Sequence, residues 1–216
     1  MSSRLSGDVA VVTLDFPPVN ALDLEAVEEL KSCFEGFAGD RPLVITGAGR
    51  AFSAGVDTRA WASYSAEQRC RLFESITGTV ATLCAIETPV VAAVNGHAMG
   101  GGLVLALCAD YRIAVDADHR FALSEAQAGV PFPAGPVEVI RHELPGTLLR
   151  QLTLSSRVVS ARVLHRHAVF DELARAETLM DAALESARAL AAQPAFAEVK
   201  RQVRGGLSER LAALVV

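Results

Sequence analysis

Two glycine turns hold the backbone groups best placed to do chemistry. The apolar run 89–94 passes straight into Asn95-Gly96-His97-Ala98-Met99-Gly100-Gly101-Gly102, and a second apolar run, 103–109, follows at once. That order reads as buried strand, tight turn, buried helix. Glycine lets a backbone N–H approach a ligand because no Cβ stands in the way. A helix start also leaves N–H groups unpaired at the positive end of the dipole. Such a place suits a negatively charged oxygen, including one formed during a reaction. Close strand–helix packing and phosphate binding are equally consistent with the glycines alone. The G-x-G-x-x-G spacing of dinucleotide sites does not fit here, and G-x-x-x-x-G-K-[ST] occurs nowhere. A second strand-to-turn passage lies upstream: Leu43-Val44-Ile45-Thr46, Gly47-Ala48-Gly49-Arg50, then Ala51-Phe52-Ser53-Ala54-Gly55-Val56-Asp57. One donor from each turn would make an oxyanion hole. In the plainer reading, Gly55 ends a turn and Asp57 caps the next segment.

Taken together the two turns resemble the crotonase (enoyl-CoA hydratase/isomerase) superfamily. The matching stretches are Pro18-Val19-Asn20-Ala21-Leu22, Gly49-Arg50-Ala51-Phe52-Ser53-Ala54-Gly55-Val56-Asp57 and Ala93-Val94-Asn95-Gly96-His97-Ala98-Met99-Gly100-Gly101-Gly102. They continue in Asp110-Tyr111-Arg112-Ile113-Ala114 and Phe121-Ala122-Leu123-Ser124-Glu125. Several motifs in one order are specific where a single glycine cluster is not. The resemblance implies that the N–H groups of Val56 and Gly101 hold the thioester carbonyl of an acyl-CoA. It implies a substrate and CoA pocket built around Ala21, Leu22, Ser53, Ala54, Gly55, Asp57, Arg59, Gly100 and Val104. Coenzyme A is then part of the substrate, and no separate cofactor or metal is expected.

Hydratases of that family carry two glutamates. The position of the first, two residues after the glycine triplet, is Val104, which cannot move a proton. The second corresponds to Glu125. One carboxylate suits migration of a double bond: a proton leaves C2, the same group returns it at C4, and no water needs activating. The pattern around Val104 and Glu125 is similar to the mitochondrial type of Δ3,Δ2-enoyl-CoA isomerase. The segment 130–135 contains no acid, which disfavours members that place a carboxylate there. Apolar neighbours (Phe121, Leu123 and Val104) are expected to raise the Glu125 pKa. Competing readings are a hydratase, hydrolase or decarboxylase, with Glu138 or Asp116 as the extra carboxylate, and an acyl-CoA-binding subunit without catalysis. Asp110 reads as structural, paired with Arg112 or a backbone N–H. Arg59 stands near enough in sequence to meet a CoA phosphate, and His97 lies within the donor turn.

The elements that must position these groups follow from periodicity. Partial alternation with β-branched residues predicts a strand over 8–16, with further strands at 43–46, 90–94 and 111–115. Apolar residues at Leu24, Val27, Leu30, Phe34 and Phe37 predict a helix over 22–37. Ser65-Ala66-Glu67-Gln68 reads as a capping box opening a helix that reaches Ile86. Helices are expected at 101–109, 135–142 and 146–154, and the remainder reads as helical, with segments near 160–167, 177–192 and 194–203. Alternating strands and helices indicate an α/β core with parallel strands. The resemblance makes this the spiral of ββα units of the crotonase fold, with residues 1–155 as the acyl-CoA-binding core and 156–216 as a helical lid or oligomerisation region. It also implies a homotrimer or a dimer of trimers.

Composition narrows the classes. The chain has 216 residues, 51% of them hydrophobic, enough for a large core in one domain. Its formal charge of −5 argues against a general nucleic-acid surface. No apolar stretch reaches the length of a membrane span, and the N-terminal residues lack the apolar segment of a signal peptide. A cytoplasmic protein is expected. Cys33, Cys70, Cys84 and Cys108 form no C-x-x-C pair, and each lies in a mostly apolar, helix-like context, so buried free thiols are expected. His165 and His167 fall on different faces of a helix, a poor arrangement for a metal.

Overall fold

The computed structural model describes residues 1–37 and 39–215. The chain opens with β1 (Ser2–Ser6), β2 (Val9–Leu14), β3 (Ala21–Leu22) and α1 (Leu24–Glu35). It continues through β4 (Leu43–Gly47), β5 (Ala51–Ser53), β6 (Gly55–Val56), α2 (Thr58–Ser63) and α3 (Ala66–Ala85). Next come β7 (Val90–Val94), β8 (His97–Met99), α4 (Gly101–Leu107), β9 (Tyr111–Val115), β10 (Phe121–Ala122) and α5 (Glu125–Ala128). The last part is α6 (Ala134–Glu143), α7 (Gly146–Thr153), α8 (Ala161–Arg166), β11 (Glu172–Ala174), α9 (Leu179–Ala191) and α10 (Phe196–Ala212).

Three times a long strand enters a large sheet, a short one enters a smaller sheet, and helix follows: β4-β5 then α2 and α3, β7-β8-α4, β9-β10-α5. The large sheet has the order β1-β2-β4-β7-β9-β11, and the smaller ones are β10-β8-β5 and β3-β6. Only β1 runs antiparallel to its neighbour in the large sheet. This is the ββα spiral expected from the sequence.

The period of two along each strand sorts the core into two faces. Val9, Val11, Val44, Val91, Ala93, Ile113 and Val115 pack beneath Leu179, Ala183 and Ala187 of α9. Their neighbours Val12, Leu14, Leu43, Ile45, Ala92, Val94 and Ala114 pack on the other side, with α1, α3 and α4. Covering both faces explains why these strands read as near-continuous apolar runs.

Strands 90–94 and 111–115 occur with the expected bounds, and the capping box at Ser65 and Gln68 opens α3. The expectation that the C-terminal part is wholly helical is corrected by β11, which pairs with β9 at the edge of the large sheet. Its three residues, Glu172-Leu173-Ala174, carry no alternation, so only the edge they meet makes them a strand. The last helix runs to Ala212 rather than ending near residue 203. Gly205 and Gly206 each weaken a helix by about 1 kcal/mol relative to alanine, but buried Arg204, Leu207 and Leu211 anchor it on either side.

Candidate active site

The two donor turns meet. In β6, Gly55 and Val56 pair with Ala21 and Leu22 of β3. The Asp57 amide donates to the Leu22 carbonyl at 3.0 Å. Successive strand amides alternate in direction, so that of Val56 points away from β3. The Gly101 amide is the first of that helix and has no intrahelical acceptor. The two segments are in backbone contact. A Cβ built on Gly55 would collide with the Met99 carbonyl and lie 3.0 Å from the Gly101 nitrogen, and one built on Gly101 would lie 4.0 Å from the Val56 nitrogen. Gly55 adopts φ +75°, a left-handed conformation that favours glycine. Glycine is required here on two counts, space and backbone angle.

Side-chain amides hold the turns. Buried Asn20 accepts from the Phe16 amide (2.9 Å) and donates to the carbonyls of Ala48 (3.0 Å) and Ala51 (2.9 Å). Asn95 accepts from the Gly47 amide (3.0 Å) and donates to the Gly49 carbonyl (3.1 Å). Sequence reasoning gave these two asparagines no role of their own, although both lie inside the matched motifs. Ser53 is fully buried. Its hydroxyl donates to the Asn20 carbonyl (2.7 Å) and accepts from the Gly55 amide (3.1 Å), so its side chain fixes the turn and does not face a ligand. Ala54 is tied to the Val19 carbonyl at 3.0 Å. Asp57 caps α2 through the Arg59 and Ala60 amides at 2.8 and 3.1 Å. The Arg59 side chain is exposed.

Glu125 opens α5, and its carboxylate turns inward. Oε1 lies 2.9 Å from where a Cβ on Gly100 would stand, and Gly100 itself has φ +52°. Oε2 is buried without a hydrogen-bond partner. Burial pushes the carboxyl pKa up to about 7, against a smaller lowering by a backbone hydrogen bond. Such a group exchanges protons readily near neutral pH. Val104, one turn into α4, is buried and lines a cavity of about 20 Å³ with Leu22, Val56 and Gly101. That is room for little more than one water. A larger cavity, about 490 Å³, begins at Glu125 and runs between α6 and α7.

The other carboxylates are engaged elsewhere. Glu138 accepts from Arg210 at 2.6 Å, and Asp116 from Arg162 at 2.7 Å. Asp110 does not pair with Arg112: it accepts from the Val90 amide (2.9 Å), Lys200 (2.6 Å) and Arg204 (2.8 Å). Arg112 pairs with Glu143, which also accepts from Arg204 at 2.9 Å. The two guanidinium groups reach the last carbonyls of α4, Arg112 to Leu107 (3.1 Å) and Ala109 (3.0 Å), Arg204 to Cys108 (3.0 Å). Both guanidinium groups bring positive charge to the negative end of the α4 dipole. The helix that offers the Gly101 amide is thus anchored electrostatically at its far end. No short motif marks this network, because its members lie up to about ninety residues apart.

His97 accepts from the Arg120 amide at 2.9 Å and stands edge-on to His119. Its ring packs against the loop before β10. His165 Nδ1 lies 2.9 Å from the Phe170 carbonyl. Cys84 and Cys108 are buried as expected, whereas Cys33 is half-buried and Cys70 is exposed. Cys70 sits on the solvent side of α3, where an apolar sequence context says nothing about facing. No helix among the described residues is long and apolar enough to cross a membrane.

Comparison with known proteins places the fold. A sequence profile of the enoyl-CoA hydratase/isomerase family matches residues 4–215. The chain belongs to that family, and its fold is that of a crotonase-superfamily acyl-CoA enzyme. Among curated relatives, carnitinyl-CoA dehydratase of Shigella flexneri is 35% identical over 192 residues, covering 86% of this chain and 72% of the relative. An enoyl-CoA hydratase/isomerase family protein from Pseudomonas syringae superposes with a TM-score of 0.90 at 26% identity, over 99% of this chain and 94% of that one. A Mycobacterium tuberculosis protein superposes with a TM-score of 0.89 in each of two structures, at 27% and 26% identity. They cover 99% of this chain and 92% and 95% of theirs, and it is described in one as a probable enoyl-CoA hydratase and in the other as an enoyl-CoA isomerase.

Proposed function

We propose that this protein is an enoyl-CoA isomerase that moves a double bond from C3 to C2 of an enoyl-CoA. The observation that carries the reading is the single proton-handling group beside the donor turn: Glu125 against Gly100, with apolar Val104 where a second acid would be needed. In this reading the Val56 and Gly101 amides donate to the thioester oxygen. Ionised Glu125 removes a proton from C2. The negative charge of the resulting dienolate gathers on the thioester oxygen, where one such donor is worth ~3 kcal/mol. Protonated Glu125 then delivers the proton to C4, giving the conjugated 2-enoyl-CoA. Ala21, Leu22, Ala54, Gly55, Asp57, Arg59, Gly100 and Val104 surround the thioester and CoA, while Ser53 serves by shaping the turn. Coenzyme A enters only as part of the substrate, with no additional cofactor or metal.

The test is conversion of a 3-enoyl-CoA to its conjugated isomer, followed by ultraviolet absorbance, beside water addition to crotonyl-CoA. Faster isomerisation than hydration supports the reading. A second reading, hydration or dehydration of the acyl group, is favoured by the name of the dehydratase relatives. It requires a group that activates water, and rapid hydration of crotonyl-CoA would establish it instead. Binding of CoA esters with no turnover would identify a non-catalytic subunit.

The assembly that goes with this reading is a homotrimer or a dimer of trimers. Exposed Val199 and Val203 on α10, the latter 67% accessible, support an apolar contact there. Sedimentation equilibrium is expected to give three or six times the chain mass of 22.8 kDa. A monomer at micromolar concentration would exclude the trimer.

A further inference from the structure

Resting on the acyl-CoA reading above, we propose that the cavity beginning at Glu125 holds the acyl tail and selects tails that end in a carboxylate, through Arg150 with help from Arg141. The reacting carbons must lie beside Glu125, so the rest of the acyl group must leave that point through free volume. The cavity that Val56 and Gly101 themselves line holds only about 20 Å³. Beyond Glu125 there is about 490 Å³. The walls of the larger cavity are apolar, from Val130, Phe132, Ile140 and Leu149, which suits a methylene chain. Its lining also includes Arg141 and Arg150, and no carboxylate other than Glu125.

Neither arginine is used up by the protein. Among the described residues, the Arg150 guanidinium makes no hydrogen bond or ion pair. Arg141 comes only within 3.9 Å of Glu138, whose carboxylate already accepts from Arg210 at 2.6 Å. An apolar cavity rimmed by one free guanidinium, Arg150, and one loosely paired, Arg141, both solvent-exposed, fits a chain with an anionic end, because the planar fork binds a carboxylate through two hydrogen bonds. A tail with a quaternary ammonium end meets like charge there instead.

CoA phosphates are a second source of negative charge, and the test separates the two. Binding of octanoyl-CoA, its ω-carboxyl analogue suberyl-CoA and 4-trimethylammoniobutyryl-CoA is measured by calorimetry at low salt. These esters are saturated and bind without turnover, so the result is independent of whether the protein isomerises anything. Suberyl-CoA is expected to bind on the order of fivefold more tightly than octanoyl-CoA, the range of a partly exposed ion pair, and the advantage should fade as salt is added. In Arg150→Ala with Arg141→Ala, that ratio should fall to near one, and Arg150→Lys should restore part of it. Equal weakening of all three esters in the double variant, with the ratio kept, would assign the arginines to the CoA phosphates and overturn the proposal. So would octanoyl-CoA or the trimethylammonium ester binding best to the unaltered protein. Failure to isomerise 3-enoyl-CoA would remove the proposed reaction and leave this binding result standing.

Discussion

A carboxylate packed against a glycine backbone, with one oxygen unpaired, is costly to keep ionised, and that cost is what makes Glu125 useful. Glu125→Gln retains the shape and removes the exchangeable proton. Its kcat for isomerisation is expected to fall roughly 10²–10⁴-fold, the usual contribution of a positioned acid–base group. CoA-ester affinity should change little by comparison. The first step needs the ionised form, so kcat/KM of the unaltered protein should rise with pH through an apparent pKa near 7. A profile flat from mildly acid to neutral pH would exclude Glu125 as the base. The same group has a stability consequence. Its folded pKa lies above the ordinary carboxyl value of 4.5, so the folded state holds the proton more tightly than the unfolded chain. The protein therefore loses stability as pH rises from about 4.5 through 7, by up to about 3 kcal/mol once Glu125 is fully ionised. Denaturant titration should find Glu125→Gln more stable than the unaltered protein at pH 8, and the difference should close in mild acid. This is the stability–activity conflict expected where function needs a misplaced charge.

At the scale of elements, the site is a meeting of β6 with the start of α4, and each side depends on backbone closeness. A methyl group at Gly55 would strike the Met99 carbonyl and crowd the Gly101 amide. Gly55→Ala should push the two donors apart. Turnover is expected to fall at least 10²-fold, the loss typical of one oxyanion donor, with a stability loss exceeding 1 kcal/mol from strain at positive φ. Retained activity in a folded Gly55→Ala variant would show that the donors do not act together. On the neighbouring helix, Asp57 caps two amides of α2, and Asp57→Ala should cost about 1 kcal/mol by urea denaturation. The caps and glycine turns were legible from the residues, because a cap is a local bargain between one side chain and the next three amides. The short strands β6, β8, β10 and β11 were not, since two or three residues hold no period to read.

Across the whole molecule, α10 crosses back to the far end of α4 and closes a buried network of five charges. Asp110, Arg112, Glu143, Lys200 and Arg204 are each at least about nine-tenths covered. Removing one partner strands the others in a poor dielectric. Arg204→Met is expected to destabilise the fold by about 3–5 kcal/mol, measured by the urea midpoint. A loss under 1 kcal/mol would mean that water or the remaining cations compensate. Of the two partners expected for Asp110, a backbone N–H is found in Val90 and Arg112 is not. Asp110 lies just before β9 and turns to the Val90 amide and to Lys200 and Arg204 of α10, while the Arg112 guanidinium goes to Glu143 and the end of α4.

The amino-acid order alone determined the alternation of strands and helices, the two glycine turns, the capping residues and, through resemblance, the single acid that stands near them. These are local matters, decided by period, by conformational freedom at glycine and by the types of neighbouring residues. Tertiary structure alone decided that two turns about forty-five residues apart bring their backbones into contact. It also decided that Glu125 faces inward with its pKa near 7, and that a large cavity runs from Glu125 to Arg141 and Arg150. Desolvation and backbone contact are properties of what surrounds a group in space, and chain distance carries no measure of either.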